Sequence, residues 1–168
     1  MEPKKFFFKD DGTIPNNKLP LLVYKNAFDK RANEGAAWLE DTFALNNWKN
    51  SWRNGVFDYH HYHSISHEVL GVYSGSALLH LGGEKGEKIR VEAGDVIVIP
   101  AGVGHKKLES DSDFGIVGAY PNGSDYDINT GREGERPKAD KNIAALPIPK
   151  NDPLQGEKQG LTKIWAGV

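Results

Sequence analysis

The segment from Gly55 to Glu68, GVFDYHHYHSISHE, decides both the fold and the chemistry of this chain. It contains four of the six histidines in the sequence. Side chains two residues apart in a β-strand point to the same face, so His61 and His63 share a face and His60 points away from them. Glu68 opens the next predicted strand after a short turn, and its carboxylate is expected to reach back across the hairpin. The segment therefore predicts two imidazoles and one carboxylate close together.

A fourth polar residue is expected to join this group from a later strand. Residues 94–105, GDVIVIPAGVGH, read as a buried strand, a turn built on Pro and Gly, and a histidine that starts another strand. Three imidazoles and one carboxylate suit Fe, Mn, Ni, Zn, Co or Cu, because these ions accept nitrogen and oxygen ligands. We therefore predict one divalent transition metal bound by four residues, His61, His63, Glu68 and His105. A six-coordinate ion would keep two positions for water, O₂ or a bidentate substrate.

The other three histidines are not expected to bind this metal. His60 and His67 are out of phase with the paired imidazoles, and His80 stands alone on its predicted strand. A single histidine on a strand is more often a surface residue, or a hydrogen-bonded core residue, than a metal ligand.

Side chains on the inward face near the metal are candidates to line a pocket. The strand phase places Phe57 and Tyr59 deeper on the face of the paired imidazoles, and it places Lys107 and Glu109 on the face of His105. Lys107 and Glu109 either line the pocket or form an ion pair near its rim, and no catalytic residue is assigned. Three residues at the end of the last predicted strand or in the loop after it are candidates to reach the mouth: Tyr120, Asp125 and Tyr126.

Short runs rich in Val, Ile, Tyr and Phe alternate with Gly-bearing turns in the middle of the chain. The predicted strands are Ser51–Arg53, Val56–His63, Glu68–Ser74, Ser76–Leu81, Lys88–Glu92, Asp95–Ile99, His105–Glu109 and Phe114–Tyr120. Eight short strands with no helix between them predict an all-β protein of antiparallel sandwich or jelly-roll type. One flanking N-terminal helix is predicted over residues 29–46, with Asp29 or Asn33 as its cap.

At 168 residues the chain is long enough for one domain with a full core. We predict a single domain over residues 1–168: a barrel core over about 50–120, an N-terminal strand and helix extension over 1–49, and an irregular C-terminal arm over 121–168. The arm is rich in Pro, Gly, Asp and Asn. Its Ile164 and Trp165 are expected to dock on the barrel or on a partner subunit.

Composition and charge exclude several classes of partner. The chain has 21 Lys and Arg against 23 Asp and Glu, which gives no electrostatic reason to expect nucleic acid or anionic membranes as partners. No apolar run approaches the length of a membrane span, and the N-terminal KKFFFK is too short for a secretion signal, so we expect a cytoplasmic protein. The absence of Cys removes disulfides, thiolate metal sites and cysteine nucleophiles.

Two spaced motifs resemble those of the cupins. The first cupin motif, G-x5-H-x-H-x4-E-x6-G, is met at Gly55, His61, His63, Glu68 and Gly75. The second, G-x5-P-x-G-x2-H-x3-N, is met at Gly94, Pro100, Gly102 and His105, but Glu109 stands where the motif has Asn. The flanking segments 52–55, 58–64, 67–73 and 118–121 resemble more specifically the YjlB-type bacterial cupins. The resemblance implies a double-stranded β-helix, or jelly-roll cupin barrel, with a metal held near one mouth by the same four residues.

The leading hypothesis is a mononuclear metal-dependent enzyme that acts on a small polar metabolite, of dioxygenase, isomerase or decarboxylase type. The alternative is a non-catalytic small-molecule binding cupin, in which the metal is structural or clamps the ligand. A third hypothesis is a sugar-binding or epimerase-like cupin that needs no metal. Because cupins commonly pair, we also expect a homodimer, with segment 6–24 and the Pro-rich arm as candidate contacts.

Overall fold

A computed structural model describes residues 1–168 and contains far more strand than helix. The strands are β1 (Lys4–Phe8), β2 (Asn17–Tyr24), β3 (Trp48–Asn54), β4 (Glu68–Ser74), β5 (Ser76–Leu81), β6 (Glu87–Glu92), β7 (Val96–Ile99), β8 (His105–Ser110) and β9 (Gly115–Pro121). The helices are α1 (Ala32–Leu45), α2 (Lys138–Ala145) and α3 (Leu161–Ala166). The longest of them has 14 residues, and none combines the length and hydropathy that a bilayer crossing requires.

Two antiparallel sheets form the architecture. The large sheet has the order β1-β2-β7-β4-β9-β3, and the small sheet has the order β6-β5-β8. The sheets pack face to face around an apolar core, and the predicted all-β jelly-roll barrel is confirmed, although the barrel is not closed. Strands β1 and β2 come from the N-terminal extension, and β2 pairs with β7 in the middle of the barrel segment. The N-terminal residues are therefore part of the large sheet.

The four central strands of the large sheet are buried on both faces, which explains their continuous apolar runs. In β2, Leu21 and Val23 pack into the barrel core, whereas Leu22 and Tyr24 pack on the opposite face. Helix α1 and the C-terminal arm cover that opposite face, and they bury a second apolar core against it. The molecule therefore has two apolar cores, one inside the barrel and one outside it, and the large sheet separates them.

Helix α1 lies inside the predicted range 29–46, but it begins at Ala32 and ends at Leu45. Neither predicted capping residue is used, because Arg31 takes the N-cap position and no side chain caps the helix. The helix approaches the sheet closely at Gly71 in β4. A Cβ at this position would lie 2.5 Å from a methyl group of Leu39, so only glycine lets the helix sit this deep.

The predicted strand Val56–His63 is wrong. These residues form an irregular connection between β3 and β4, with only isolated β-bridges. The backbone bonds to three different parts of the chain: Phe57 and His61 to β8, Tyr62 to Asn129 in the C-terminal arm, and His63 to Gly102 in the turn before β8. A regular strand needs one continuous partner, and this segment shares its backbone groups among three.

The C-terminal arm contains two helices, α2 and α3, so the prediction of a single helix is wrong. The arm docks on the barrel of its own chain: Trp165 is buried in the second core, and its indole N–H donates to the Pro20 carbonyl at 2.9 Å. Asp152 of the arm is also fully buried. Its carboxylate accepts from the Tyr24 hydroxyl at 2.5 Å and from the Leu161 backbone N–H at 2.9 Å. This carboxylate therefore joins the arm to β2.

We expect Asp152→Ala to lower the free energy of unfolding by about 3 kcal/mol, because several buried donors would lose their acceptor. Urea unfolding followed by circular dichroism measures this change. Asp29→Ala is the matched control, since Asp29 is exposed and its side chain makes no hydrogen bond. If both variants unfold at the wild-type urea concentration, the carboxylate does not hold the arm.

Candidate metal centre

The four predicted ligands lie together at one end of the barrel core. His61 and His63 belong to the connection between β3 and β4, Glu68 is the first residue of β4, and His105 is the first residue of β8. All four are buried, with at most 5% of each residue exposed. The three imidazoles each offer a nitrogen within 4.8 Å of the other two. The convergence that the sequence predicts is therefore present in the folded chain.

Glu68 faces the imidazoles because β4 alternates between the two cores. Leu70 and Val72 point into the barrel core, and Glu68 has the same parity. Its Oε1 atom lies 3.3 Å from Nε2 of His63 and 3.3 Å from Nε2 of His105. The carboxylate thus contacts two of the three imidazoles directly.

Backbone carbonyls fix the orientation of all three rings. The Nδ1 atoms of His61, His63 and His105 lie 3.1, 2.5 and 3.1 Å from the carbonyls of Tyr59, Asp127 and Val103. An Nδ1–H that donates to a carbonyl leaves Nε2 as the nitrogen with a free lone pair. Nε2 of His105 is buried and, despite its closeness to Glu68, has no hydrogen-bond partner of good geometry. The three Nε2 atoms are therefore the ring nitrogens that are available to bind a metal ion.

The charges of the cluster are coupled. Burial would raise the pKa of Glu68, but His63 and His105 outweigh it, so the pKa is lowered and the carboxylate is ionised. Burial would lower the pKa of His63, but Glu68 outweighs it and the pKa is raised. Burial, assisted by His105, lowers the pKa of His61 to about 2. A cation that enters would meet an ionised carboxylate and a neutral His61.

Two further residues support the cluster. The Tyr120 hydroxyl accepts a hydrogen bond from the Trp52 indole N–H at 2.8 Å and faces Glu68; burial and this carboxylate raise the pKa of Tyr120. The carboxylate of Asp127 accepts from the backbone N–H of Ser64 at 2.7 Å and from its hydroxyl. Asp127 therefore holds the segment around His63 with its side chain while its carbonyl holds the ring. The role of Asp127 is not predicted from the sequence, because no local pattern links it to His63, which lies far earlier in the chain.

A cavity of about 370 Å³ opens onto the four residues. Aromatic rings form much of its wall: Tyr126 stacks on Tyr120 at 4.7 Å between ring centroids and lies 5.3 Å from His63. Of the three candidates for the mouth, these two tyrosines line the cavity, whereas Asp125 is exposed and does not.

Phe57 and Tyr59 lie nearer the surface than predicted. They stack on each other at 5.0 Å and remain 44% and 42% exposed, so the prediction that they sit deep on the inward face is wrong. The physical reason is the irregular path of this segment. Without a regular strand, residues two apart need not share the inward face. Phe57 still lines the cavity near its opening.

Lys107 lines the cavity, which is one of the two roles predicted for Lys107 and Glu109, but Glu109 does not line it. Lys107 pairs with Leu79 of β5 and Glu109 with Leu78, so Leu108 is an extra residue in β8 and forms a β-bulge. The bulge turns Glu109 to the outer face, where it pairs with Arg90 at 2.8 Å. The expectation that Lys107 and Glu109 share a face is therefore wrong.

The remaining histidines lie outside this cluster. His60 contacts Glu84 at 2.8 Å and packs against His80 on the outer surface of the small sheet. His67 is buried against Trp165, and burial lowers its pKa to about 4. None of the three reaches the group formed by His61, His63 and His105.

Similarity to known proteins assigns the chain to a family. A family model described as a cupin domain matches residues 53–113. YjlB of Bacillus subtilis, described as an uncharacterized protein, is 48% identical over 165 residues, which cover 98% of this chain and 97% of YjlB. This chain belongs to the YjlB-like bacterial cupins.

Solved structures similar to this cupin include two enzymes. Acireductone dioxygenase from Bacillus anthracis, described with a cadmium ion in its active centre, matches with a TM-score of 0.42 and 17% identity, over 60% of this chain and 77% of the dioxygenase. A mutant of Bacillus subtilis oxalate decarboxylase matches with a TM-score of 0.39 and 17% identity, over 77% of this chain and 30% of the decarboxylase. The cupin thus spans less than a third of the decarboxylase chain.

The donor set of this cupin fits a divalent transition metal. Three imidazole nitrogens and one ionised carboxylate suit such an ion, and no thiolate is present to favour a softer one. The unpaired Nε2 of His105 is an independent sign, because a buried nitrogen without a partner is costly. The buried triad and Glu68 therefore form a site with the chemistry of a metal centre.

We expect the purified cupin to retain one divalent metal per chain and Glu68→Gln to lower its affinity for that metal about tenfold or more. The amide keeps the shape of the side chain but removes the charge, and loss of even a supporting group costs about this much. Elemental analysis after dialysis against a weak chelator measures retention. Glu87→Gln is the control, since Glu87 is exposed on β6. Equal metal retention in both variants would show that Glu68 does not bind the metal.

We expect metal retention to fall between about pH 7 and about pH 5, because protons compete with the ion for the imidazoles. The raised pKa of His63 means that this competition starts at that residue. Metal content after dialysis at several pH values measures the release. Circular dichroism at each pH separates release from unfolding, and a content that stays constant down to pH 5 would contradict an imidazole-bound ion.

Proposed function

We propose that this cupin is a mononuclear metal-dependent enzyme that acts on a small polar metabolite. His61, His63, Glu68 and His105 would hold one divalent transition metal. The observation that supports this most directly is the set of three imidazoles, each anchored through Nδ1, that converge beside a cavity large enough for a small molecule. A bound metal of this kind supplies a Lewis acid or an O₂-binding centre, which is the chemistry of dioxygenases, isomerases and decarboxylases.

The residues of the chain have separate tasks in this proposal. The carbonyls behind the three rings fix their orientation, and Glu68 supplies the compensating negative charge. The Tyr120 hydroxyl, already bonded to Trp52, faces Glu68 and would keep the carboxylate oriented. The apolar and aromatic walls would exclude water from the reacting molecule, which strengthens electrostatic interactions inside the cavity.

A non-catalytic binding cupin is the second candidate, because the four polar residues are almost fully buried, as in a structural site. The metal would then be structural or would clamp the ligand. A binding protein shows ligand-dependent thermal stabilisation without product formation, whereas an enzyme shows both.

Turnover of a small polar metabolite by the metal-loaded cupin is expected to fall to the uncatalysed rate in His63→Ala, because this variant removes a metal-binding imidazole. A panel of small hydroxy acids, keto acids and sugars, followed by mass spectrometry of the products, tests this. Glu87→Gln, on the exposed part of β6, is the matched variant that is expected to keep full turnover. Stabilisation by a panel member without any product in the metal-loaded protein would favour the binding cupin instead.

We also propose a homodimer. Strand β1 is an edge strand of the large sheet, and its Phe7 is 64% exposed. Light scattering during size-exclusion chromatography is expected to give twice the chain mass of 18.6 kDa. A mass equal to one chain would exclude the dimer.

A further inference from the structure

Lys107 is the free positive charge of the cavity. Three residues that line the cavity carry a full charge, namely Arg53, Glu68 and Lys107. Arg53 is already occupied, because its guanidinium forms two hydrogen bonds of 2.8 Å with Glu40. Glu68 faces the histidines. Lys107 is half-buried, and its ammonium group forms no ion pair with any carboxylate of the chain.

The strand geometry places Lys107 beside the histidine cluster. His105 pairs with Leu81 and Lys107 with Leu79, and both leucines are in the barrel core. His105 and Lys107 therefore share the inner face of β8, about 7 Å apart along the strand. This spacing is within the reach of one small molecule that contacts both.

The β-bulge at Leu108 keeps Lys107 unpaired. If β8 were regular at this point, Leu108 would pair with Leu78, and Glu109 would lie two positions beyond Lys107 on the same face, where it could neutralise the ammonium group. The bulge turns Glu109 outward to Arg90 instead. A half-buried cation that the fold separates from its nearest carboxylate is a place where an anionic ligand would gain a charge-assisted bond.

The walls of the cavity restrict the anion further. The stacked pair Tyr120 and Tyr126 presents flat aromatic surface beside the histidines, and Val56, Leu70 and Ile116 are also among the lining residues. One unpaired lysine beside aromatic and aliphatic side chains suits a singly charged group with an apolar body. A phosphate would bring a second negative charge and strong hydration into the same walls, and desolvation of that charge is costly.

We propose that the cavity binds a small monocarboxylate with a flat apolar body, that Lys107 binds its carboxylate, and that the aromatic walls contact its body. The inference rests on the proposed function in one respect: the end of the ligand that faces the histidine cluster is the end that would react. The contact with Lys107 itself does not depend on the metal.

The probe that tests this is benzoate, with benzamide as the neutral molecule of the same shape. Isothermal titration of the Zn²⁺-loaded cupin is expected to give about tenfold tighter binding of benzoate than of benzamide. In Lys107→Gln this preference should disappear, and in Lys107→Arg most of it should return. Lys106→Gln is the matched control, because it removes the same charge from the neighbouring residue of β8, which lines the separate outer groove around His60.

The outcomes separate this inference from the proposed function. Loss of the benzoate preference in Lys107→Gln but not in Lys106→Gln supports the inference. An unchanged preference in Lys107→Gln, or tighter binding of inorganic phosphate than of benzoate, overturns it. Failure of the protein to retain Zn²⁺ counts against the proposed metalloenzyme, and the same titrations on metal-free protein then still measure the role of Lys107. Thermal melting of each variant checks that the fold is kept.

Discussion

Glu68 is a carboxylate inside an apolar barrel, and the surrounding structure makes its charge tolerable. A buried ionised group costs several kcal/mol unless opposite charge or hydrogen bonds compensate it. Here the compensation comes from His63 and His105, each with a nitrogen 3.3 Å away. The imidazoles can provide it only if their rings are held, and three backbone carbonyls hold them. These carbonyls come from three separate segments: Tyr59 in the irregular path before β4, Val103 in the turn before β8, and Asp127 in the C-terminal arm.

The second core fixes which way Glu68 points. A slip of one residue in β4 would exchange its two faces, and it would move Glu68 from the barrel interior to the helix side. Val69, which follows Glu68, packs in the second core, and Gly71 receives Leu39 of α1 at close range. Helix packing on one side of the sheet therefore sets the register of polar residues on the other side.

The residues of the centre could be predicted because strand phase and motif spacing act over short distances. His61 and His63 converge even though their predicted strand is absent, since each ring has its own carbonyl. Glu109 shows where the alternation of faces along a strand fails to predict a position. The β-bulge at Leu108 turns Glu109 to the outer face, and no local sequence pattern predicts this bulge. Asp127 could not be predicted, because it is 64 residues from His63 and contacts that ring through its backbone. Helices α2 and α3, of eight and six residues, are too short for their apolar periodicity to stand out.

The C-terminal arm supplies both the carbonyl behind His63 and the ring of Tyr126 at the cavity, although all four polar residues lie earlier in the chain, in β4, in β8 and in the connection between β3 and β4. The four polar side chains and this part of the cavity wall thus come from separate stretches of polypeptide. Evolution can alter one of them and leave the other as it is. Homologues with the same inner quartet but divergent residues 121–168 would share their inner chemistry and differ in the molecules that they admit.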